Sequence, residues 1–243
     1  MADRQAPQIN GSGKDGPSLS EQVYQYLVEG IVRGEIAYGA SLNIKEIAAK
    51  LNVSPMPIRD AVKKLEGEGV AVVKPRSSSY VRTPSKRDVL QSVDARRMIE
   101  LYVVSAIYPT VSVEQLEPMR RIVEAMRGEI ERLRGCVDGS DEYQEARDRY
   151  IALDREFHAT LCGLMNNAYV DKFYREVNLH LNMRFRHEVG RAHSLEQTFR
   201  DHEVMLQELE ENSPAIIGTM ETHLDRSREN IINGELFQTL NDE

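Results

Sequence analysis

The stretch from Asn43 to Gly69, NIKEIAAKLNVSPMPIRDAVKKLEGEG, constrains the fold of this chain more than any other. It reads as two short helices joined by a tight turn. Asn43 is placed to cap the first helix, with Glu46 three residues on as the reciprocal partner of a capping box. Ile47, Ala48 and Leu51 then share one face, and Asn52-Val53 breaks the pattern. Ser54 is placed to cap the second helix, with Pro55 at its first position, where an amide would be unpaired anyway. Pro57 falls in the same first turn. Ile58, Ala61, Val62 and Leu65 make an inward face, while Met56, Arg59 and Lys63 form a second stripe that must point elsewhere.

A helix with an apolar back, a basic front and free amides at its N-terminus suits a DNA major groove. The groove admits a helix, an arginine there can donate two bonds to a guanine edge, and the helix start favours phosphate. The alternative is a surface helix pair with solvated charges. The next residues favour DNA: Val70–Lys74 and Ser79–Arg82 read as two strands joined through Pro75-Arg76-Ser77-Ser78. Helix-turn-helix plus a basic-tipped hairpin is a winged helix. Upstream, Ser20 is expected to cap a bracing helix that carries Val23, Tyr24, Leu27 and Ile31 and ends near Gly34.

The run VSPMPIRDAVKKLEGEGV resembles the recognition segment of GntR-type bacterial repressors, and residues 20 to 233 resemble their FadR branch, with its all-helical effector domain. Carried over by position, the resemblance implies DNA contacts from Lys45, Pro55, Met56, Arg59 and the wing around Pro75 and Arg76. Lys63 joins this set as the basic end of the outward stripe. Many relatives have Arg where this chain has Pro55 and a polar residue where it has Met56. A small wing glycine is common where this chain has Arg76-Ser77-Ser78-Ser79. The resemblance therefore implies the binding mode more firmly than the base sequence read.

Charge follows the same division. The chain of 243 residues has net charge −8, but residues 1–83 carry 11 Lys/Arg against 9 Asp/Glu and the remainder 20 against 30. An acidic body with a locally basic head suits a regulator that meets DNA at one end. Residues 1–17 read as a disordered tail, 18–83 as the winged helix, 84–88 as a linker, and 89–235 as a helical effector-binding and dimerisation domain. Ser85, with Asp88 three residues later, is the expected cap at its entry. Six helices are expected, near 86–108, 112–134, 141–165, 167–190, 194–211 and 213–233, forming an antiparallel bundle. The fold expected is thus mainly α, an N-terminal winged helix-turn-helix followed by that bundle. Six helices rather than seven resemble the VanR-like subgroup. With no apolar run of membrane-spanning length, no leader pattern, and two cysteines (Cys136 and Cys162) too few for a disulfide framework, a cytoplasmic protein is expected.

Three bundle stripes carry ionisable groups at core positions. They are Ile151, Asp154, His158, Leu161, Met165; Leu195, Phe199, His202, Leu206, Leu209; and Ile216, Met220, His223. A lone buried histidine is ordinarily a hydrogen-bonded core residue. Four such groups from three helices are less costly if they meet around something, and Asp154 and His158 are four apart, a two-ligand spacing. One carboxylate and three imidazoles suit Zn, Ni or a similar divalent ion. The resemblance implies the same set, an Asp-x3-His plus two later histidines that hold a metal facing a carboxylate effector. His180, His187 and His193 are left to the surface or a groove. Arg96, four before Glu100, is either an intrahelical salt bridge or, as the resemblance implies, an effector contact; Arg184 and Arg186 are further anion candidates.

These readings point to a DNA-binding regulator, a homodimer on an inverted repeat of operator DNA, switched by a small carboxylate and having no membrane partner. Two competitors stand beside it: a metal-dependent hydrolase or lyase on the Asp/His site, and a regulator whose metal is only a structural staple. The sequence shows no general base beside the metal set of the kind a HExxH helix supplies.

Overall fold

The computed structural model describes residues 16–74, 79–185 and 192–242, with the side chains of 181–194, 235 and 236 excepted. The chain divides into two compact units between Pro84 and Ser85.

The first unit holds α1 (Leu19–Val32), α2 (Ile44–Leu51), α3 (Pro55–Gly67), β1 (Ala71–Val73) and β2 (Ser79–Val81). α1 begins two residues earlier than expected: Ser18, not Ser20, accepts the Glu21 amide. Val23, Leu27 and Ile31 of α1 join Ile58, Ala61, Val62 and Leu65 of α3 in its core. Lys64 ties α3 to α1 through Glu21 at 2.8 Å while lying over the Tyr24 ring, and Tyr24 Oη donates to Glu68. α2 is capped by Asn43, whose Oδ1 accepts from the amides of Lys45 and Glu46, and it ends with Asn52 in the left-handed conformation that turns the chain into α3. β1 and β2 pair antiparallel, with Val72 opposite Tyr80, and Ser41 bridges to Tyr80 from the other side. That is the expected winged helix-turn-helix. The wing tip, with Pro75 and Arg76, lies outside the described residues.

The second unit contains α4 (Lys86–Ile107), α5 (Glu117–Gly135), α6 (Asp141–Gly163), α7 (Ala168–Phe185), α8 (Ala192–Glu210), α9 (Ala215–Ile232) and the short α10 (Glu235–Thr239). Ser85 and Asp88 close the predicted capping box, so most of the supposed linker is already the first turn of α4. α5 starts later than expected. Ser112 and Gln115 exchange the bonds of a cap, but only around an isolated turn. Pro118 then sits in the first turn of the helix, where its missing amide costs nothing; a start near 112 would have put it in the interior. Leu116, Met119, Met126, Ile130, Phe157, Leu161, Leu195, Met205, Leu209, Ile216 and Met220 build the bundle core. α4 packs on α6, α7 and α9, α5 on α6 and α8, and α8 on α9. A smaller cluster of Val89, Val93, Ile231, Phe237 and Leu240 fastens the start of α4 to the end of the chain, where the Lys86 amide donates to Asn241. Among the described residues no helix is long and apolar enough to cross a membrane.

Candidate metal centre and nucleic-acid interface

Asp154 and His158 stand one turn apart on α6, His202 lies midway along α8, and His223 midway along α9. The apolar faces that these helices bury bring the four together, each offering one ligand atom within 4.8 Å of the others. His158 Nε2 is 3.2 Å from His202 Nε2 and 3.2 Å from His223 Nε2, and Asp154 Oδ1 is 3.5 Å from His202 Nε2. His158 and His202 are fully buried and His223 nearly so, whereas the Asp154 side chain is 26% exposed.

The other side of each ring explains the chemistry. His158 Nδ1 lies 2.8 Å from Glu100 Oε2, off the ideal hydrogen-bond line. His223 Nδ1 lies 3.2 Å from Asp201 Oδ2, and Arg226 donates to the same oxygen. A carboxylate beside Nδ1 holds the ring proton there and leaves Nε2 a bare lone pair. For His202 the corresponding partner is the Thr198 backbone one turn earlier, a loose contact in which Nδ1 makes no aligned hydrogen bond. Burial lowers the pKa of His158, and burial with the neighbouring imidazoles lowers that of His202 well below its ordinary value. Neutral imidazoles with Nε2 turned inward have the protonation state that a metal ion requires of its ligands.

The donor spacing passes the same test. A tetrahedral site with bonds of about 2.1 Å has edges of about 3.4 Å. Three of the six donor separations, 3.2, 3.2 and 3.5 Å, lie near it, and all six are within 4.8 Å. The residues therefore fit a divalent cation.

Arg96 and Glu100 are both buried on α4, and Arg96 Nε donates to Glu100 Oε1 at 2.6 Å. Burial alone would raise the Glu100 carboxyl, but Arg96 and His158 override it and bring it down to about 2. The Arg96 guanidinium is held charged by Glu100 against the cost of burial. So the intrahelical salt bridge exists, yet it is a buried one built into the centre. Glu100 and Asp201 were not singled out as centre residues from the sequence. Glu100 was findable: Val93, Arg96, Glu100, Val103 and Ile107 form an inward stripe with ionisable members, the signal that exposed the histidines. Asp201 carried no such signal, because it reaches His223 across two helices. The side chains of Arg184, Arg186, His187 and His193 lie outside the described ones.

In the first unit, Lys45 is exposed in the first turn of α2, and Pro55, Met56, Arg59 and Lys63 are exposed along α3, Met56 by 60%. The start of α3 differs from the expectation in one respect. Ser54 occupies the cap position with extended backbone but its hydroxyl accepts nothing. Prolines at 55 and 57 remove two amides of the first turn, leaving Met56 to supply one. Phosphate there would meet the helix dipole with a single amide rather than a nest of them.

Comparison with known proteins agrees with both units. Residues 19–81 match the description "Bacterial regulatory proteins, gntR family", and residues 91–226, more than half the chain, match the FCD domain. The chain is a GntR-family protein with a C-terminal FCD domain. Among its relatives are the HTH-type transcriptional repressor RspR of Escherichia coli K12, 29% identical over 143 residues, 59% of this chain and 58% of RspR. Another is the gluconate operon transcriptional repressor of Bacillus subtilis, 25% identical over 148 residues, 60% of this chain and 55% of that one. The chain thus spans less than two thirds of the length of these relatives. They are named as regulators of transcription, not as enzymes. In fold the chain is similar to a GntR-type regulator from Rhodococcus sp. RHA1, with TM-score 0.72 at 20% identity over 88% of this chain and 97% of that one. It is equally similar to E. coli McbR/YncC, with TM-score 0.72 at 17% identity over 89% and 98%.

Proposed function

We propose that this GntR-family protein is a DNA-binding transcriptional repressor of the cytoplasm whose operator affinity is set by a small carboxylate held at a divalent metal in the FCD domain. The observation that supports it most is the convergence of three Nε2 atoms and the Asp154 carboxylate inside a buried core. Bound there, zinc or nickel would supply a Lewis-acidic cation that draws a carboxylate.

The protein's own groups prepare the centre. Glu100 and Asp201 fix the His158 and His223 rings. Charge sets the ligand: Arg96 balances Glu100, Arg226 balances Asp201, and among the described side chains Asp154 has no Lys or Arg ion-pair partner. Adding a divalent cation makes these described groups net +1, enough to draw one carboxylate. Arg96 engages Glu100 through Nε, and among the described residues no hydrogen bond is made by its Nη end, which is the end assigned to an anion. Arg184 is the second candidate for that contact. The exposed edge of Asp154 is the side from which an effector would enter.

At the DNA end, Arg59 is assigned to a guanine edge, Lys63 and Lys45 to phosphates, Pro55 and Met56 to apolar contact at the helix start, and Arg76 to the wing. A single winged helix covers few base pairs, so the active form is a homodimer on an inverted repeat. The test is binding of the zinc-loaded protein to its own promoter DNA, followed by anisotropy while carboxylates are titrated in. A carboxylate that releases DNA from wild type but not from His223→Ala supports the reading. Release that is indifferent to the metal ligands makes the metal a staple and contradicts it.

A further inference from the structure

The start of α3 is apolar where the rest of its outward stripe is basic. Pro55 and Met56 are exposed and Pro57 is half-buried. Ile58, Ala61, Val62 and Leu65 fill the core behind them, so packing asks nothing of Met56. Yet Met56 is 60% exposed, and with Val73 it is one of two large hydrophobic side chains exposed on the first unit among the described residues. The segment is also poor in donors. Pro55 and Pro57 have no amide, and a thioether is at most a weak acceptor. In the stripe of Met56, Arg59 and Lys63, side-chain donors begin only at Arg59.

Such a surface suits few base edges. Guanine, adenine and cytosine present polar groups and no methyl to the major groove, and covering those groups with apolar atoms leaves them unpaired. Thymine adds an apolar group, its C5-methyl. A phosphate, the other natural guest of a helix start, would find two amides of the first turn missing.

We propose that the start of α3 reads a thymine methyl, with Met56 and Pro55 packed against it. This rests on the reading above that α3 lies in the major groove with Arg59 on a guanine. Met56 and Arg59 are three residues apart, about 4.5 Å along the helix axis, against about 3.4 Å between successive bases. Each half-site therefore carries a thymine one or two base pairs from that guanine.

The test selects duplexes from a random pool with full-length protein, then replaces each thymine of the selected site singly with deoxyuridine. That change removes one methyl and keeps every hydrogen-bonding group. At one thymine in each half-site, deoxyuridine is expected to weaken binding about fourfold, the worth of one buried methyl. Met56→Ala should bind the thymine and deoxyuridine duplexes to within about twofold, and Met56→Leu, of similar volume and also apolar, should restore the difference. Met56 is clear of the α3 core, so neither change disturbs the fold. Selected sites without thymine within two base pairs of the guanine, no thymine sensitive to the replacement, or the full deoxyuridine penalty in Met56→Ala would overturn the proposal and leave α3 as the DNA-reading helix. If the pool yields no preferred sequence at all, the groove reading itself fails, and the proposal with it.

Discussion

His158 Nε2 and His223 Nε2 face each other at 3.2 Å while the Nδ1 atom of each faces a carboxylate, Glu100 for one and Asp201 for the other. With the proton on the outer nitrogen beside its carboxylate, each ring turns a lone pair inward. Two lone pairs at that distance repel unless a cation lies between them. The acidic partners thus do two things at once: they orient the rings and they make the middle of the bundle attractive to a cation.

Glu100→Ala should be among the most damaging single changes in the second unit. It leaves the buried Arg96 guanidinium without its counter-charge, at a cost of roughly 3–5 kcal/mol. It also frees the His158 ring, so the metal affinity of whatever protein folds should fall about 10–100-fold. Chemical denaturation and a zinc competition titration measure the two effects. Arg96→Met with Glu100→Gln should recover much of the stability, because no buried charge is then left alone. A double variant no more stable than Glu100→Ala would contradict this.

In metal-free protein, acid should weaken the second unit in two stages. The folded-state pKa values of His158 and His202 lie below the ordinary 6.5, so in the unfolded chain these rings take up protons first. Their contribution is complete above about 6.5 and declines as pH falls from there. Glu100 is depressed from 4.5 to about 2, so its contribution is present above 4.5 and is lost as pH falls toward about 2. Melting temperature against pH should show a first decline beginning near 6.5. His202→Phe should reduce that first decline and leave the second. A stability profile flat between pH 7 and 5 would contradict the assignment.

Arg59 and Lys63 should separate by the kind of loss they cause. Arg59→Ala should cost roughly 1–3 kcal/mol on the specific operator and relax preference at one base pair. Lys63→Ala should weaken specific and random DNA alike and flatten the salt dependence. Both side chains are exposed and clear of the α3 core, so neither change should alter the fold. Competition binding with single-base operator variants distinguishes them. An unchanged ratio of specific to random binding in Arg59→Ala would remove its base-reading role.

The sequence revealed most where periodicity and local chemistry agreed. Asn43, Asn52 and Pro55 set the helix-turn-helix boundaries, and these stand where their backbone preferences demanded. The four ligand candidates were legible because an ionisable residue in an apolar stripe is out of place unless others meet it. What was not legible depended on tertiary neighbours or on local competition. Asp201 reaches His223 from another helix. Ser112 made a cap-like turn that Pro118 kept from becoming the helix start. Ser18 rather than Ser20 took the α1 cap, since either hydroxyl satisfies the local pattern. Ser54 makes no side-chain cap bond: Pro57 has no amide to offer it, and the Met56 amide is not taken up.

The most direct test is metal stoichiometry. Wild type, Asp154→Ala, His202→Ala and His223→Ala are each incubated with zinc, freed of excess by gel filtration, and subjected to elemental analysis with melting curves alongside. One zinc per chain is expected in wild type, with a higher melting temperature than the metal-free form, and substoichiometric zinc with no such gain in each of the three variants. Wild type that leaves the column without zinc, or histidine variants that retain one zinc per chain, would contradict the metal centre on which the account rests.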